Sequence, residues 1–373
     1  MTRVLVVDDS RLVRTVVGDA LESAGYDVET AIDGESAVEA VARAEPDVVT
    51  MDVEMPGMGG IEAIDRIMST NPTAVLMLSA HTQAGAEATL DALDRGAIDV
   101  LEKPDGTGAE TLGHMVDSVV ERIDELANAD VSTLALAQTT AAANRVRAGR
   151  HKRAIPVGAN SIEAPEEGPR ALERPTVDHP TIVVGASTGG PKIVERLFRL
   201  LPSSLDAKVV VVQHMPAGFT SRFADRLDAK SEYRVREAGD GERIQPGEAV
   251  VAPGGYHLEI VANDDGELVV EHDDGPRIHG VRPSIDVTME SAAEIVTDPL
   301  AGVVLTGMGR DGARGIEAIE SVGGRTIAQD EETSPVFGIP KQAIETGAVD
   351  EVVPADGLVE SIVEAFTEGE CHG

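Results

Sequence analysis

The sequence has 373 residues, of which 42% are hydrophobic, and a formal net charge of −35 because 66 acidic residues stand against 31 basic ones. The hydrophobic content suits a packed core and excludes a disordered chain, and the length suits two domains of roughly 100–200 residues each. A strongly negative charge repels nucleic acids and anionic lipids, so neither is expected as a partner. The negative charges also repel one another within the protein. Because the electrostatic screening length falls to about 3 Å in 1 M salt, high salt relieves this repulsion, and we expect a halophilic protein.

The single cysteine, Cys371, lies in the C-terminal tail and predicts neither a disulfide framework nor a thiolate metal site. Met1 is followed by the strand-like "RVLVVDD", without a charged and then apolar leader. No uninterrupted apolar stretch approaches the length of about 18 residues that a membrane-spanning helix needs. We therefore expect a cytoplasmic protein that does not insert into the membrane.

Three regions follow one another along the chain. In residues 1–125, β-branched segments such as "DVVTMD" alternate with helical patterns such as "SAVEAVARA", which predicts a parallel sheet with helices on both faces. Residues 126–178 are rich in Ala, Thr, Pro and Gly and are interpreted as a linker. Its basic segment "RVRAGRHKR" is either a solvated tether or a segment that docks on an acidic surface.

Residues 179–373 resume the alternation and predict a doubly wound α/β domain. The segment "EAVVAPGGYHLEIVANDDGELVVEH" predicts an insertion of antiparallel β-hairpins. Ser284 is a possible N-cap of the next helix, and a later helix is predicted to begin at Ala313.

Polar residues stand at the ends of the predicted strands of the first domain: Asp8 and Asp9 after "VLVV", Asp52 in "DVVTMD", Ser79 in "LMLS" and Lys103 in "VLEK". The carboxyl ends of parallel strands meet at one edge of a sheet, so these side chains are expected to lie together. Clustered carboxylates suit Mg²⁺, and with a cation and a lysine neutralising charge, one carboxylate can accept a phosphoryl group.

In this order, the residues closely resemble the response-regulator receiver domain over essentially all of residues 2–125. The resemblance implies a flavodoxin-like fold with a five-stranded parallel sheet. It implies Asp52 as the phosphorylation site and Asp8, Asp9 and Asp52 as Mg²⁺ ligands. By the same resemblance, the side chains of Ser79 and Lys103 contact the phosphoryl group.

A second candidate site begins at a glycine-rich turn. "GASTGGP" places Ser187 between a strand predicted to end at Gly185 and a helix predicted to begin near Pro191. This matches the G-x-S-x-G nucleophile elbow, where glycines permit the sharp turn and the helix N-terminus offers N–H groups to a developing oxyanion. The pattern also fits a phosphate-binding turn.

Two further strand ends supply what a serine nucleophile requires. His214 follows "VVVVQ", and Asp311 lies in "LTGMGRDGARG". A serine needs a base to take its proton, and the imidazole needs a carboxylate to fix its tautomer. The chain order Ser, His, Asp differs from the Ser, Asp, His of α/β-hydrolases. His257, His272 and His279 are interpreted as solvent-exposed residues of the insertion and the loop after it.

The segments "GASTGGP", "VVQHMPAGFTSRFADRL", "RPSIDV", "LTGMGRDGARG" and "VFGIPKQAI" resemble the chemotaxis protein-glutamate methylesterase/glutaminase of the CheB type over roughly residues 180–367. A receiver, a linker and this unit in that order also match the architecture of the family. The resemblance implies that Ser187 is the nucleophile, His214 the general base and Asp311 its orienting carboxylate. It also implies the backbone amide of Met308 as an oxyanion donor.

The implied function is hydrolysis of glutamate 5-methyl esters, and deamidation of particular glutamines, on the cytoplasmic part of chemoreceptors during chemotaxis adaptation. The implied phosphate donor is a chemotaxis histidine kinase, and no cofactor is implied for the hydrolysis itself. Two other functions remain open. One is a phosphorylation-controlled serine hydrolase of another substrate, such as a peptidase, and the other is an interaction protein whose second domain is inert.

Overall fold

Strands alternate with helices in both halves of the computed structural model, which describes residues 2–80, 83–103, 109–127 and 179–367. The predicted linker lies almost wholly outside these residues, as do its basic segment and Cys371. No helix in the described ranges is long and apolar enough to cross a membrane.

Within residues 2–80, 83–103 and 109–127, the first unit contains five strands and five helices. The strands are β1 (Arg3–Val7), β2 (Asp27–Ala31), β3 (Val48–Asp52), β4 (Ala74–Ala80) and β5 (Asp99–Lys103). The helices are α1 (Arg11–Ser23), α2 (Gly34–Ala44), α3 (Gly60–Thr70), α4 (Gln83–Arg95) and α5 (Ala109–Leu126).

The five strands form one sheet in the order β2-β1-β3-β4-β5, and every neighbouring pair is parallel. Residues 4–7 of β1 and all of β3 are buried. Such continuous apolar strands are typical of a parallel sheet covered by helices on both faces. The predicted flavodoxin-like receiver fold is confirmed.

The second unit contains ten strands: β6 (Thr181–Ala186), β7 (Lys208–Gln213), β8 (Arg234–Glu237), β9 (Glu242–Ile244), β10 (Glu248–Val251), β11 (His257–Asp264), β12 (Glu267–Asp273), β13 (Leu300–Val304), β14 (Arg325–Gln329) and β15 (Glu351–Val353). Its α-helices are α6 (Gly190–Leu200), α7 (Phe219–Asp228), α8 (Ile285–Ile295), α9 (Ala313–Ser321), α10 (Ile339–Glu345) and α11 (Leu358–Glu364). A 3₁₀ turn spans Ser203–Leu205.

Seven of these strands form a parallel sheet in the order β15-β14-β13-β6-β7-β10-β8. The chain starts at the central β6, builds one side through β7 and the other side through β13. The strand order therefore reverses between β6 and β13, and open α/β sheets bind their ligands at such a switch point. The predicted doubly wound α/β domain is confirmed.

The β insertion differs in one respect from the prediction. The hairpin β11–β12 is present and pairs with β9 in a three-stranded antiparallel sheet. The preceding "EAVV" segment, however, is strand β10 of the main parallel sheet. Its residues Ala249, Val250 and Val251 are fully buried, as suits a strand covered on both faces and not a hairpin with one exposed face.

Candidate active site

Ser187 lies on the turn between β6 and α6, with 3% of its surface exposed. Gly189 has a φ of 76°, in the left-handed region that side chains other than glycine rarely adopt. A Cβ at this position would also lie 2.9 Å from Cβ of Pro335. The strand ends at Ala186 and the helix begins at Gly190, each one residue from the predicted boundary.

His214 and Asp311 form a hydrogen bond, with 2.8 Å between Nε2 and Oδ2. His214 follows β7 and Asp311 lies between β13 and α9. Because β7 and β13 flank β6, both side chains reach the sheet edge where Ser187 lies. In the described part of the chain, no hydrogen bond joins Ser187 to His214. With Nε2 on Asp311, Nδ1 is the ring nitrogen left to serve the serine.

The carboxylate of Asp311 is buried and receives several N–H and O–H donors. Besides His214, it accepts the Ser284 hydroxyl at 2.7 Å and the backbone N–H groups of Ile285 and Asp286 at 2.7 and 3.1 Å. Burial by itself would raise the pKa of Asp311. The hydrogen bond and charge of His214, together with hydrogen bonds from Ser284 and Ile285, lower this pKa below its ordinary value. Asp311 is therefore an ionised carboxylate, the state that can orient and stabilise a protonated imidazole.

The expected N-cap role of Ser284 is only half right. Ser284 does precede α8, but its side chain makes no capping hydrogen bond to the helix. Asp311 accepts the first N–H groups of α8 in its place. The positive end of the α8 dipole therefore stabilises the Asp311 carboxylate.

Asp286 is a buried residue of this region that the sequence reasoning missed. Its Oδ1 accepts the backbone N–H groups of Gly312 and Gly315 at 2.8 and 2.9 Å, which holds the loop that carries Asp311. Its Oδ2 lies 3.0 Å from His279 Nε2 and 3.1 Å from Arg314 Nε. The available signal was an acidic residue inside the apolar helix pattern "SIDVTM", where a carboxylate needs partners.

The interpretation of His257 as solvent-exposed is wrong. His257 is 1% exposed, and its Nδ1 accepts the backbone N–H of Ser284 at 3.1 Å. The hairpin packs one face against α8, so the side chains of that face are core. His272 is half-buried and stacks on Tyr256, whereas His279 is exposed as predicted but also contacts Asp286.

Met308 follows Gly307, which touches the turn that carries Ser187. A Cβ built on Gly307 would lie 2.6 Å from Cβ of Ser187, so the backbone at this point passes directly beside the serine. Only glycine allows so close an approach. The backbone N–H of Met308 follows directly after this contact with Ser187.

The receiver covers the turn that carries Ser187. The N–H of Gly189 donates to the carbonyl of Ile98 at 3.0 Å, and the Thr188 hydroxyl donates to the carboxylate of Asp99 at 2.7 Å. Arg122 of α5 donates to the Asp99 carboxylate and, at 2.8 Å, to Thr188. A small cavity beside His214 is lined by receiver residues Leu93, Asp99 and Val100 and by residues Pro191, Gln213, Met215, Pro216 and Phe219 of the second unit, which we call the catalytic unit below.

The predicted acidic cluster of the receiver is assembled at the carboxyl edge of its sheet. Asp8, Asp9 and Asp52 bring carboxylate oxygens within 4.8 Å of one another. Lys103 Nζ lies 2.7 Å from Asp8 and 2.8 Å from Asp52. Burial raises the pKa of Asp52 despite the opposing charge of Lys103. Ser79 is buried at the end of the adjacent strand β4.

These observations define a class of protein: a receiver joined to an α/β unit that gathers a serine, a histidine and an aspartate at one sheet edge. Two family models match the chain, the response regulator receiver domain over residues 4–113 and CheB methylesterase over residues 182–362. A protein-glutamate methylesterase/protein-glutamine glutaminase of Halobacterium salinarum is 48% identical over 98% of this chain and 99% of that protein. The chain therefore belongs to the CheB methylesterase family.

A relative of the same name from Natronomonas pharaonis is 49% identical over 97% of each chain. The crystal structure of the Thermotoga maritima CheB methylesterase catalytic domain is 44% identical, covering 50% of this chain and 99% of that one with a TM-score of 0.48. The haloarchaeal relatives agree with the halophilic character predicted from the net charge.

Proposed function

We propose that this protein hydrolyses glutamate 5-methyl esters to glutamate and methanol, and particular glutamines to glutamate and ammonia, on chemoreceptors. The observation that carries this proposal is the His214–Asp311 pair at the sheet edge of Ser187, in a chain that belongs to the CheB methylesterase family. Ester and amide share this chemistry because both pass through a tetrahedral oxyanion.

In the proposed reaction, Nδ1 of His214 takes the proton of Ser187 as Oγ attacks the carbonyl carbon of the substrate. Asp311 holds the resulting imidazolium through Nε2. The N–H of Met308 donates to the oxyanion, since Gly307 brings the backbone against Ser187. Methanol or ammonia leaves with the proton from His214. Water then attacks the acyl group while His214 takes its proton, and glutamate is released as that proton returns to Oγ of Ser187.

The receiver is proposed to accept a phosphoryl group on Asp52 from a chemotaxis histidine kinase. Asp8, Asp9 and Asp52 would hold Mg²⁺, because three clustered carboxylates supply the oxygen donors that this cation prefers. When bound, the cation supplies charge neutralisation for the phosphoryl oxygens. Ser79 and Lys103 would contact the phosphoryl group. The protein would act in the cytoplasm, because its proposed substrate is the cytoplasmic part of the receptors and its proposed phosphate donor is this kinase.

Phosphorylation of Asp52 is proposed to raise activity by moving the receiver away from Thr188 and Gly189. The support is the placement of Ile98 and Asp99 on the two residues after the nucleophile. Bound phosphate would bias a two-state equilibrium between a covered and an open active site.

The test is methanol release from a methylated chemoreceptor cytoplasmic fragment in high salt. Wild-type protein should release methanol, acetyl phosphate with Mg²⁺ should increase the rate, and Ser187→Ala should abolish release. Asp52→Asn should keep the basal rate and lose the increase. Folded wild-type protein that releases no methanol in any of these conditions would contradict the proposal and leave a hydrolase of another substrate or a binding domain.

A further inference from the structure

A cluster of charged side chains joins α4 of the receiver to α6 and α7 of the catalytic unit. The guanidinium of Arg226 forms ion pairs with Asp94, with Asp91 at 3.4 Å and with Glu195 at 3.1 Å. Lys230 pairs with the same Glu195. Burial acts to lower the pKa of Arg226, but Asp94 and Glu195 raise it above its ordinary value. The cation at Arg226 is therefore held by carboxylates from both units.

Lys192, in the first turn of α6, belongs to the same cluster but lacks a direct partner. It makes no hydrogen bond or ion pair within 4 Å with any residue in the described ranges. Burial lowers its pKa to about 8, although the charges of Asp94 and Glu195 act to raise it. A half-buried ammonium group that has no contacting carboxylate is unfavourable, so this position can gain from an additional anion.

Charge in this cluster balances only with the receiver in place. Lys192, Arg226 and Lys230, which we call the α6–α7 cationic cluster, face Glu195 of their own unit and Asp91 and Asp94 of the receiver. If the receiver moves away, three cations remain with one carboxylate. An excess of positive charge then faces solvent in a chain whose net charge is −35. Such a surface selects carboxylates.

The cluster borders the candidate active site. Leu93 of α4 and Pro191 of α6 line the cavity that contains His214. The next residues along the chain are Asp94 and Lys192, which belong to the charged cluster. A protein substrate whose reacting side chain lies at Ser187 would therefore extend over Lys192 and Arg226.

We infer that Lys192 and Arg226 bind carboxylates of the substrate protein beside the reacting glutamate, and that Asp91 and Asp94 of the receiver occupy the place of those carboxylates in the covered state. This inference rests on the proposed function and adds a determinant of specificity to it. The receiver would then inhibit by competition at the charged cluster as well as by covering the turn. An acidic protein segment is the class of ligand that fits, because the receiver groups that now fill the site are aspartates on one helix.

The experiment breaks the same ion pair from its two sides in the full-length protein. Binding of a methylated receptor fragment is measured by fluorescence anisotropy with Ser187→Ala protein, so that turnover does not interfere, with and without acetyl phosphate and Mg²⁺. Without phosphorylation, the Asp94→Asn variant should bind the fragment more tightly than its Ser187→Ala parent. After phosphorylation, the variant and its parent should bind the fragment equally tightly. Arg226→Gln should bind on the order of ten-fold more weakly in the phosphorylated state, as expected for loss of one charge-assisted contact.

Arg226→Lys, which keeps the charge, should recover part of the affinity. Arg66→Gln, which breaks an exposed ion pair within α3, is the matched control and should change nothing. In the active background, Arg226→Gln should raise KM with little change in kcat. Equal affinity of Arg226→Gln and Asp94→Asn in the phosphorylated state would overturn the inference, because the pair would then serve only to dock the receiver. Failure of the proposed function is distinct, since it appears as absent methanol release by the phosphorylated wild type.

Discussion

The carboxylate of Asp99 in the receiver lies 2.7 Å from the hydroxyl of Thr188, the residue that follows Ser187. Arg122 donates to both groups, so the contact is a partly buried network of three side chains. Each such hydrogen bond contributes only about 0.5–3 kcal/mol, depending on charge. The receiver is therefore held on the turn that carries Ser187 by interactions weak enough for the proposed switch.

Removal of this network should activate the unphosphorylated protein. Asp99→Ala deletes the carboxylate that accepts hydrogen bonds from Thr188 and Arg122, which should weaken docking of the receiver by roughly 1 kcal/mol. We therefore expect the rate of methanol release without acetyl phosphate to increase several-fold. The phosphorylated rate should change little, because the proposed movement of the receiver would already have broken this contact. Glu62→Ala, which removes an exposed ion pair of α3, is the control. An unchanged basal rate in Asp99→Ala would argue against a covering role for this contact.

Ser284 should act on catalysis through Asp311. Ser284→Ala deletes a 2.7 Å hydrogen bond to the buried carboxylate, which costs about 1–3 kcal/mol when a buried group loses its partner. We expect kcat to fall on the order of ten-fold with KM nearly unchanged, because Ser284 orients Asp311 and does not touch substrate. Steady-state kinetics on the methylated receptor fragment decide this. A rise in KM at constant kcat would assign Ser284 to substrate binding instead.

The lowered pKa of Asp311 predicts how stability depends on pH. A carboxylate whose pKa is lower in the folded state stabilises the fold above its unfolded pKa of about 4, and this contribution is lost as pH falls through the folded value. Asp311→Asn lacks the contribution at every pH. The difference in Tm between wild type and Asp311→Asn should therefore be largest above pH 5 and shrink below pH 4. Thermal unfolding in high salt measures it, and a difference that grows on acidification would contradict the assignment.

Mg²⁺ should stabilise the receiver through its acidic cluster. Burial raises the pKa of Asp52, and Asp8 adds like charge, so a bound cation relieves an unfavourable arrangement. At a concentration of about 100 times Kd, a ligand specific for the native state adds about 2.7 kcal/mol to the unfolding free energy. We expect Mg²⁺ to raise the Tm of the wild type and not that of Asp8→Asn.

Asp52→Asn should also lose labelling by acetyl phosphate, and labelling that survives would place the phosphoryl group elsewhere.

The fold should depend on salt. A chain with a net charge of −35 repels itself, and the Debye length grows from about 3 Å in 1 M salt to about 30 Å in 0.01 M. Circular dichroism should show loss of structure as salt is removed. A matched titration with sucrose in place of salt separates screening from general stabilisation. Full structure in dilute buffer would contradict the prediction.

Features encoded in short segments could be predicted from the sequence. The apolar runs before Asp8, Asp52 and Ser187 specify buried parallel strands, and the glycines around Ser187 specify a sharp turn because few residues adopt that backbone. Strand ends in a parallel sheet meet at one edge, so the acidic cluster and the gathering of Ser187, His214 and Asp311 followed from order along the chain. The predicted strands and the turn agree with the structure because hydrophobic period and turn chemistry are local properties of the chain.

Contacts between segments distant in sequence were decided only by the tertiary structure. Asp286 and Ser284 support Asp311 across more than twenty positions of the chain, and His257 is buried because its hairpin packs on α8. The joining of Asp99 to Thr188, and of Asp94 to Arg226, depends on how two separately folded units meet. Residue types alone do not encode such pairings, because a hydrogen bond or an ion pair forms between whichever groups packing brings together. Sequence by itself therefore determined the fold of the two units and the polar groups at their strand ends, and tertiary packing decided how one unit covers the other.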